Sequence, residues 1–451
     1  MVSTDPRVIG TNPRVLIVSH NALSSTQSNG KTMLAFFKNW DRECLAQLYL
    51  TTDVPDFSVC ERFFQINDFD VLKRVLLDRR VQGRVVTRAD IAAVKSYKDA
   101  VTAKRSVAML KKRGAPLVRF ARDLMWRLGG YRTRELCAFI DDFDPQAVFF
   151  QSSSGVFAFS LVKWICTARN IPLIMQTTDD YVTQMATWDP FSWIQVARLT
   201  KMYRWAVFYS SQVIAIGDKM VQEYRMRFGG SYYVAMNSVA SLNLPKPETG
   251  RDKVRFLYAG NLVLNRWRVL GVISQCLKEL DQEQNLKGEL HIYSLNQPCP
   301  EGLRQLNNAP YSSFNGAVNT EQLNKLKTAS DVLVHVEAFD HINRHITRLS
   351  ISTKIPEYLA SGRCIFAVGP DDVASIQYIV EHDLGVAVTF IDKAKIKNAL
   401  ADIMKTPEKR AEYAEKGIGV AKARHNAEKT AEDIKQMIIC AVENHKNKKE
   451  V

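Results

Sequence analysis

The sequence predicts an α/β protein made of two domains, each a doubly wound sheet of mostly parallel strands. Short apolar runs of strand length alternate with longer segments whose apolar residues recur at helical spacing. The chain has 451 residues, more than one hydrophobic core of ordinary size requires, and 46% of them are apolar. Both observations are typical of a globular two-domain enzyme.

The N-terminal half alternates strands and helices, as a doubly wound sheet requires. A strand is predicted at residues 15–18 and the first helix at 31–39. Later apolar runs predict further strands at 147–150, 173–175 and 213–216. Residues 73–134 interrupt this order as an insertion between strands.

The insertion is the most basic part of the chain. Residues 73–134 contain 18 Lys or Arg and four Asp or Glu, so they carry the whole formal net charge of +14. Apolar residues recur within it at helical spacing: Leu110, Leu117, Phe120, Ala121, Leu124 and Leu128. Basic residues lie between them: Lys111, Lys112, Arg113, Arg119, Arg122 and Arg127. The pattern favours a helix that binds an anionic membrane surface, and a solvated helix with a packed apolar face fits as well. No helix-turn-helix, zinc-finger or aromatic RNA-binding signature accompanies the charge, so we predict no nucleic-acid partner.

The C-terminal half repeats the alternation. Strands are predicted at 256–259, 289–293, 332–336, 364–368 and 385–388, and long helices at 411–445 close the chain. We therefore divide the chain into a first domain at 1–245 with the basic insertion, a second domain at 246–425, and a final helix at 426–451.

The segment Ser352-Thr353-Lys354-Ile355-Pro356-Glu357 lies between a predicted strand and a short helix that Gly362 ends. Backbone N–H groups at a helix start favour anions, and two hydroxyls and a lysine there suit phosphate. Glu357, one turn further on, is placed to bind ribose hydroxyls. The alternative is an ordinary cap, with Ser352 or Thr353 as N-cap and Glu357 as its partner. We expect Lys354 to be exposed at this helix start.

The order of several motifs resembles the C-terminal half of GT-B glycosyltransferases of the family 4 type. Phe256-Leu257-Tyr258-Ala259-Gly260-Asn261, then Arg266-Trp267-Arg268, resembles the strand, glycine turn and basic pair of the family's pyrophosphate site. Phe314-Asn315-Gly316-Ala317-Val318, followed by Glu321-Gln322-Leu323 and Ala329-Ser330-Asp331-Val332, is similar to a second family segment. The run from Lys354 to Gly362 is similar to a third.

The resemblance implies two Rossmann-like domains facing each other across a cleft, with the donor on the second domain. The donor-binding residues it implies are Gly30, Asn261, Arg266, Arg268, Tyr293, Asn315, Gly316, Glu337, Ser352, Thr353, Lys354 and Glu357. Many family members carry a glutamate eight positions before the one at Glu357, where this chain has Leu349. Glu337 is the nearest substitute, at a different spacing.

Two loops of the first domain carry the remaining candidate chemistry. Asn29-Gly30-Lys31-Thr32 resembles the end of a phosphate-binding P-loop, but Ser25 stands where that motif needs its first glycine. Thr177-Thr178-Asp179-Asp180 follows a predicted strand, where open α/β sheets bind ligands. Asp179, Asp180 and His20 are our candidate catalytic residues for binding or deprotonating an acceptor, although a helix cap explains either aspartate equally well.

The composition argues against disulfides, a membrane span, a signal peptide and a metal site. The eight cysteines form no C-x-x-C pair, which predicts buried thiols in a reducing compartment. No run approaches a membrane span, and residues 1–11 lack the apolar core of a signal peptide. His341 and His345 have metal-like spacing, but Arg344 between them argues against a site, so we predict no metal and no cofactor.

We therefore predict a metal-independent, hexosyl-type glycosyltransferase, cytoplasmic or peripheral on the cytoplasmic membrane face. It would move a sugar from a nucleotide-diphosphate donor to a saccharide or lipid-linked saccharide in cell-surface polysaccharide synthesis. The alternatives are a non-catalytic GT-B-like partner-binding subunit and a P-loop NTPase.

Overall fold

The computed structural model describes residues 12–25, 28–77, 83–90, 115–183, 189–239 and 252–450. Its contacts divide the chain into two compact units, Met1–Ala235 with Glu428–Val451, and Met236–Ala427. Our sequence-based boundaries were 245/246 and 425/426. Leu110, Lys111, Lys112 and Arg113 of the basic insertion lie outside the described residues.

The first unit is built on a sheet with strand order β4-β3-β2-β1-β5-β6-β7-β8. Its strands are β1 Val15–Ser19, β2 Leu45–Tyr49, β3 Arg62–Gln65, β4 Arg84–Val86, β5 Ala147–Gln151, β6 Leu173–Thr177, β7 Ser210–Ala215 and β8 Tyr232–Val234. Only the β3–β4 pairing is antiparallel among the strands described. Strands β1, β2, β5 and β6 are buried at every residue, as parallel strands covered on both faces must be.

Helices connect these strands. They are α1 Ser28–Phe36, α2 Asp68–Leu76, α3 Ala115–Gly129, α4 Arg134–Phe143, α5 Val156–Arg169, α6 Pro190–Tyr209 and α7 Asp218–Phe228. Helix α1 begins and ends earlier than the predicted 31–39, and Gly30 lies inside it. A Cβ on Gly30 would lie 2.6 Å from the backbone nitrogen of Ser24, so only glycine lets α1 pack this closely on the loop after β1.

The second unit contains a parallel sheet with strand order β11-β10-β9-β12-β13-β14. Its strands are β9 Val254–Ala259, β10 Gly288–Tyr293, β11 Ser312–Phe314, β12 Val332–Val336, β13 Cys364–Val368 and β14 Gly385–Val388. Its helices are α8 Arg266–Gln284, α9 Pro300–Leu306, α10 Thr320–Ala329, α11 His341–Thr347, α12 Lys354–Ala360, α13 Ala374–Glu381, α14 Lys393–Lys405 and α15 Pro407–Arg424. All five strands predicted in this half are present. Two separate sheets with parallel order confirm the predicted fold class.

The last helix, α16 Ala427–Glu450, packs within the first unit. Its buried residues Ile434 and Ile438 belong to the same apolar cluster as Met33 and Phe37 of the α1 region. The Tyr233 hydroxyl donates a hydrogen bond of 2.7 Å to Asp433, which fixes α16 beside β8.

Two sequence expectations concern thiols and membrane spans. All eight cysteines are free, and Cys60, Cys166, Cys276 and Cys364 are buried. Among the described residues, no helix combines the length and the apolar character that a membrane crossing needs.

Candidate functional site

The carboxyl edge of the second sheet brings together loops that are far apart in sequence. Gly260 follows β9, and its N–H donates to the carbonyl of Tyr293 at the end of β10 (2.9 Å). The N–H of Ser294 donates in turn to the carbonyl of Gly316, beyond β11 (2.8 Å). Gly316 has φ +71°, a conformation that favours glycine. Because parallel strands all end at one edge, the predicted Tyr293 and Gly316 lie in loops that adjoin the one after β9.

Arg266 and Glu337 form a buried ion pair at this edge. Nε and Nη2 of Arg266 donate to Oε2 of Glu337 at 3.2 and 2.8 Å, and the two side chains are only 13% and 3% exposed. Nη1 of Arg266 donates to Oδ1 of Asn261 at 2.7 Å. Three predicted donor-binding residues are therefore in direct contact. Leu349, at the place of the missing family glutamate, is a buried core residue.

Lys354 is not exposed, contrary to our expectation. Its side chain is half-buried, and its ammonium lies 4.8 Å from the ring centre of Tyr258. A Cβ on Gly260 would overlap that ammonium, so the glycine after β9 makes room for the lysine. Burial, and then the neighbouring charge of Arg266, lowers the pKa of Lys354 to about 8. The expectation failed because the helix start lies beneath the strand-end loops.

His335 is a member of this group that our motif search missed. It precedes Glu337 by two residues on β12, so both side chains leave the same face of the strand, and its Nε2 lies 3.5 Å from Oε1 of Glu337. Burial, followed by the charges of Lys354 and Arg266, holds the pKa of His335 well below its usual range. The histidine is therefore neutral. A polar residue in the apolar run Val332–Val336 was the available signal.

We call Arg266, His335, Glu337 and Lys354 the basic cluster. It contains two cations, one carboxylate and a neutral imidazole when Lys354 is protonated. The side chains are largely withdrawn from water, which strengthens their electrostatic interaction with a ligand. The cluster therefore has a net positive charge at the edge where open α/β sheets bind ligands.

The start of α12 does not have the hydrogen bonds of an ordinary capping box. Thr353 occupies the N-cap position without a side-chain cap bond, and the N–H of Lys354 lies 3.5 Å from Oγ of Ser352. Glu357 binds elsewhere, since its Oε2 accepts a hydrogen bond of 3.1 Å from Nζ of the buried Lys327. The capping-box alternative is therefore not what the structure shows. Lys327 is a second residue that the sequence did not point to.

Arg268 and Asn315 lie apart from the basic cluster. Residues two apart on a helix point in different directions, and the Arg268 guanidinium stacks over the Trp267 ring at 5.2 Å in an exposed position. Asn315 is exposed, and its Nδ2 donates to Oγ of Ser313 at 3.0 Å. The structure thus separates the predicted pair Arg266 and Arg268.

The first unit places Asp179 and Asp180 just beyond the end of β6. Asp180 is 4% exposed and accepts hydrogen bonds from Nη1 of Arg227 (3.0 Å) and the Tyr224 hydroxyl (3.1 Å). These contacts fasten helix α7 to the loop and give Asp180 a structural role. Asp179 is more accessible, and its Oδ2 accepts a hydrogen bond from the Tyr181 hydroxyl at 3.3 Å. His20 follows β1 at the same carboxyl edge, and its backbone carbonyl accepts from Leu50.

The described residues contain no group of three His, Cys, Asp or Glu side chains arranged to hold a metal ion. His341 and His345 lie on α11 with parallel rings 6.4 Å apart. Between them, Arg344 donates to Asp372 at 2.6 Å.

The whole chain is similar to solved glycosyltransferase structures. Sucrose-phosphate synthase from Thermosynechococcus elongatus aligns over 94% of this chain and 98% of its own, with 12% identity and a TM-score of 0.59. Anabaena HepE in complex with UDP aligns over 95% and 100%, with 12% identity and a TM-score of 0.60. An α,α-trehalose-phosphate synthase (UDP-forming) from Burkholderia xenovorans aligns over 94% and 100%, with 9% identity and a TM-score of 0.58. The chain therefore has the GT-B fold of these enzymes.

No protein-family model and no curated protein sequence matches the chain.

Proposed function

We propose that the protein is a glycosyltransferase that moves a sugar from a nucleotide diphosphate to a hydroxyl group. The observation that carries this proposal is the basic cluster, in which Arg266 and Lys354 lie at the carboxyl edge of the second sheet. Breaking the donor's glycosidic bond leaves a diphosphate that gains negative charge. Preorganised cations at that position stabilise the transition state more than the ground state.

The residues of the cluster have different roles in this proposal. Arg266 and Lys354 neutralise the diphosphate, in the place of the divalent metal on which other glycosyltransferases rely. Glu337 fixes the Arg266 guanidinium through its paired hydrogen bonds and is the carboxylate nearest to the sugar. Glu357, with 43% of its side chain exposed, binds the ribose hydroxyls. Loop residues Asn315 and Gly316 contact the base.

On the first unit, the proposal assigns the acceptor to the carboxyl edge of β1 and β6. Asp179 and His20 are the groups there that would bind or deprotonate the acceptor hydroxyl. Asp180 positions this loop through Arg227.

The similar structures support uridine as the base. The HepE structure is a complex with UDP, and the trehalose-phosphate synthase is a UDP-forming enzyme. We propose a UDP-hexose donor for this chain and a saccharide or lipid-linked saccharide acceptor of cell-surface polysaccharide synthesis.

The test combines binding with turnover. The unfolding temperature of the purified protein is measured with a panel of UDP-, GDP-, ADP- and TDP-sugars, because a ligand that binds the native state raises it. Release of the nucleoside diphosphate from each stabilising sugar is then followed with and without saccharide acceptors. A protein that no nucleotide sugar stabilises would overturn the proposal. Stabilisation without turnover on any acceptor would favour the alternative of a non-catalytic subunit.

We also propose that the first unit binds an anionic membrane surface, where a lipid-linked acceptor would be presented. Helix α3 supports this, since its outward face consists of exposed apolar residues, Leu117, Ala121, Leu124 and Leu128. We call this face the α3 stripe. Its three leucines are 51%, 42% and 68% exposed, and the same helix carries Arg119, Arg122 and Arg127. Apolar and basic residues together suit the surface of an anionic bilayer.

A further inference from the structure

Four arginines surround a pocket of about 480 Å³ in the first unit. Arg74 comes from α2, Arg127 from α3, Arg132 from the turn after α3, and Arg198 from α6. Asp123 is the one carboxylate among the described lining residues. Arginines from three helices thus converge on one concave surface, which we call the arginine pocket.

Backbone and aromatic contacts help to hold three of the arginines. Nε of Arg74 donates to the carbonyl of Gly129 at 2.6 Å. The Arg132 guanidinium lies 5.4 Å from the ring centre of Trp164, and that of Arg198 lies 5.7 Å from that of Phe120. Within the described part of the chain, neither these two nor Arg127 forms an ion pair with a carboxylate. Aromatic rings thus hold Arg132 and Arg198, and no ion pair within this part of the chain takes up the charge of the three arginines.

The single carboxylate offsets only part of the charge of four arginines. Asp123 is 3% exposed and forms the inner wall of the pocket, where its Oδ1 accepts the N–H of Phe157 at 3.2 Å and its Oδ2 accepts the side-chain amide of Gln195. Its hydrogen bonds are therefore directed at α5 and α6. Four guanidinium groups around one cavity repel each other, and a bound anion would relieve that repulsion.

We propose that the arginine pocket binds a phosphate group. Guanidinium groups bind phosphate oxygens through paired hydrogen bonds, which a lysine cannot offer, and the pocket volume is in the range of small-molecule sites. The group comes either from a free phosphorylated molecule or from a phospholipid headgroup. A phospholipid headgroup is considered because Arg127 is next in sequence to Leu128, which belongs to the α3 stripe proposed to contact the membrane.

This inference is independent of glycosyl transfer, and only its lipid source rests on the proposed membrane contact. In the proposed function the second unit also binds phosphate groups, at its diphosphate site. The experiment must therefore show where on the protein the phosphate binds. Hydrogen–deuterium exchange of the full-length protein provides this, because we expect a pocket ligand to protect the segments that line the pocket: residues 123–132, residues 156–160 and the helix turns around Arg74 and Arg198.

The experiment compares inorganic pyrophosphate with vesicles of phosphatidylcholine that contain or lack phosphatidic acid. The test variant is Arg127→Gln/Arg132→Gln, since both side chains are exposed and their loss should leave the fold intact. The charge-matched control is Lys73→Gln/Arg134→Gln, two exposed residues of the same segment that do not line the pocket.

We expect protection of the pocket segments in the wild type and the control, and an affinity at least about tenfold weaker in the test variant. Protection by pyrophosphate identifies a free phosphate as sufficient, and protection by acidic vesicles alone identifies the lipid headgroup. The proposal is overturned if neither probe protects these segments at low salt, or if the test variant and the control lose affinity equally. Failure of the nucleotide-sugar panel would leave this result unaffected.

Discussion

At the scale of single residues, Lys354 combines a half-buried side chain with a pKa of about 8. Below that pH it is charged and attracts a diphosphate, and above it the attraction is lost. We therefore expect the affinity for UDP to fall as the pH rises through 8, and to fall much less in Lys354→Arg, whose guanidinium remains charged. Isothermal titration of UDP at pH 7 and pH 9 measures both. Parallel pH dependence in the wild type and Lys354→Arg would contradict a role for the lysine.

The same pKa has a consequence for stability. The unfolded chain has a lysine pKa near 10.5, so between pH 8 and 10.5 it binds more protons than the native state at this position. The contribution of Lys354 to the free energy of unfolding must therefore rise with pH across this window. Urea unfolding of wild type and Lys354→Met should show that the variant's advantage at pH 7 shrinks towards pH 10.

The ion pair of Arg266 with Glu337 should be coupled far more strongly than a surface pair. Removal of one partner leaves a nearly buried charge without compensation, so a double-alanine cycle should give a coupling free energy of about 1–3 kcal/mol. The exposed pair of Arg62 with Asp142, at 46% and 75% exposure, serves as the control and should give less than about 1 kcal/mol. Urea unfolding of the single and double variants measures both values. Equal coupling in the two pairs would show that water screens the cluster.

At this scale the sequence motifs identified some of the residues that the structure brings together. Arg266, Asn261 and Glu337 were named from the sequence and are in contact. His335 was not named, although it interrupts an apolar run, and Lys327 was not named because only the packing of α10 reveals what its side chain approaches. The misjudged exposure of Lys354 has the same origin, since burial depends on loops distant in sequence.

At the scale of elements, two helical glycines should respond oppositely to alanine. In Gly30→Ala the new Cβ would lie within 3 Å of backbone atoms of Ser24 and Ala22, which cannot move without shifting the loop. We expect a loss of about 1–3 kcal/mol in the free energy of unfolding. In Gly419→Ala, on α15, the Cβ meets nothing within 4 Å, so alanine should stabilise by about 0.5–1 kcal/mol. Thermal and urea unfolding decide between these signs. A neutral Gly30→Ala would mean that α1 does not need this close contact.

Two of the strands that the sequence did not predict, β2 and β3, share a physical cause. Strand β2 contains Gln47 and β3 contains Gln65, both buried, and an amide interrupts the apolar run by which a buried strand is found. Each amide is hydrogen-bonded, as Gln47 is to Oγ of Ser19 at 2.7 Å, which makes its burial tolerable. Five strands of the second sheet were predicted from their apolar runs, whereas β11, which is three residues long and begins with two serines, was not.

At the scale of the whole molecule, the sequence was sufficient to predict the fold class but not the spatial arrangement of the charge. Alternating apolar runs are sufficient to predict two doubly wound α/β domains, since parallel strands require the helices between them, whereas the GT-B type was implied only by the resemblance of the motifs. The net charge located the basic segment, but only the structure shows which of its residues surround a pocket and which form the α3 stripe. The arginine pocket is formed by side chains from three helices, and no local sequence pattern encodes such a combination.

The α3 stripe leads to the last prediction, that the protein binds acidic vesicles through it. Each apolar side chain that enters the interface contributes in proportion to its buried area, and each nearby arginine adds about 1 kcal/mol that decays within a Debye length. Replacing Leu117, Leu124 and Leu128 by Gln keeps every charge and removes the apolar contribution. The control replaces Phe390 and Ile391, exposed apolar residues of the second unit, by Gln.

Co-sedimentation with vesicles that contain phosphatidylglycerol should show salt-sensitive binding of the wild type and the control, and weak binding of the stripe variant. This result requires both the arginines and the leucines of α3. Comparison with neutral vesicles measures the contribution of the arginines, and the stripe variant measures that of the leucines. A stripe variant that binds as well as the wild type would mean that charge alone drives the association. A wild type that ignores acidic vesicles at low salt would leave α3 as a solvated helix and make a soluble acceptor the better hypothesis.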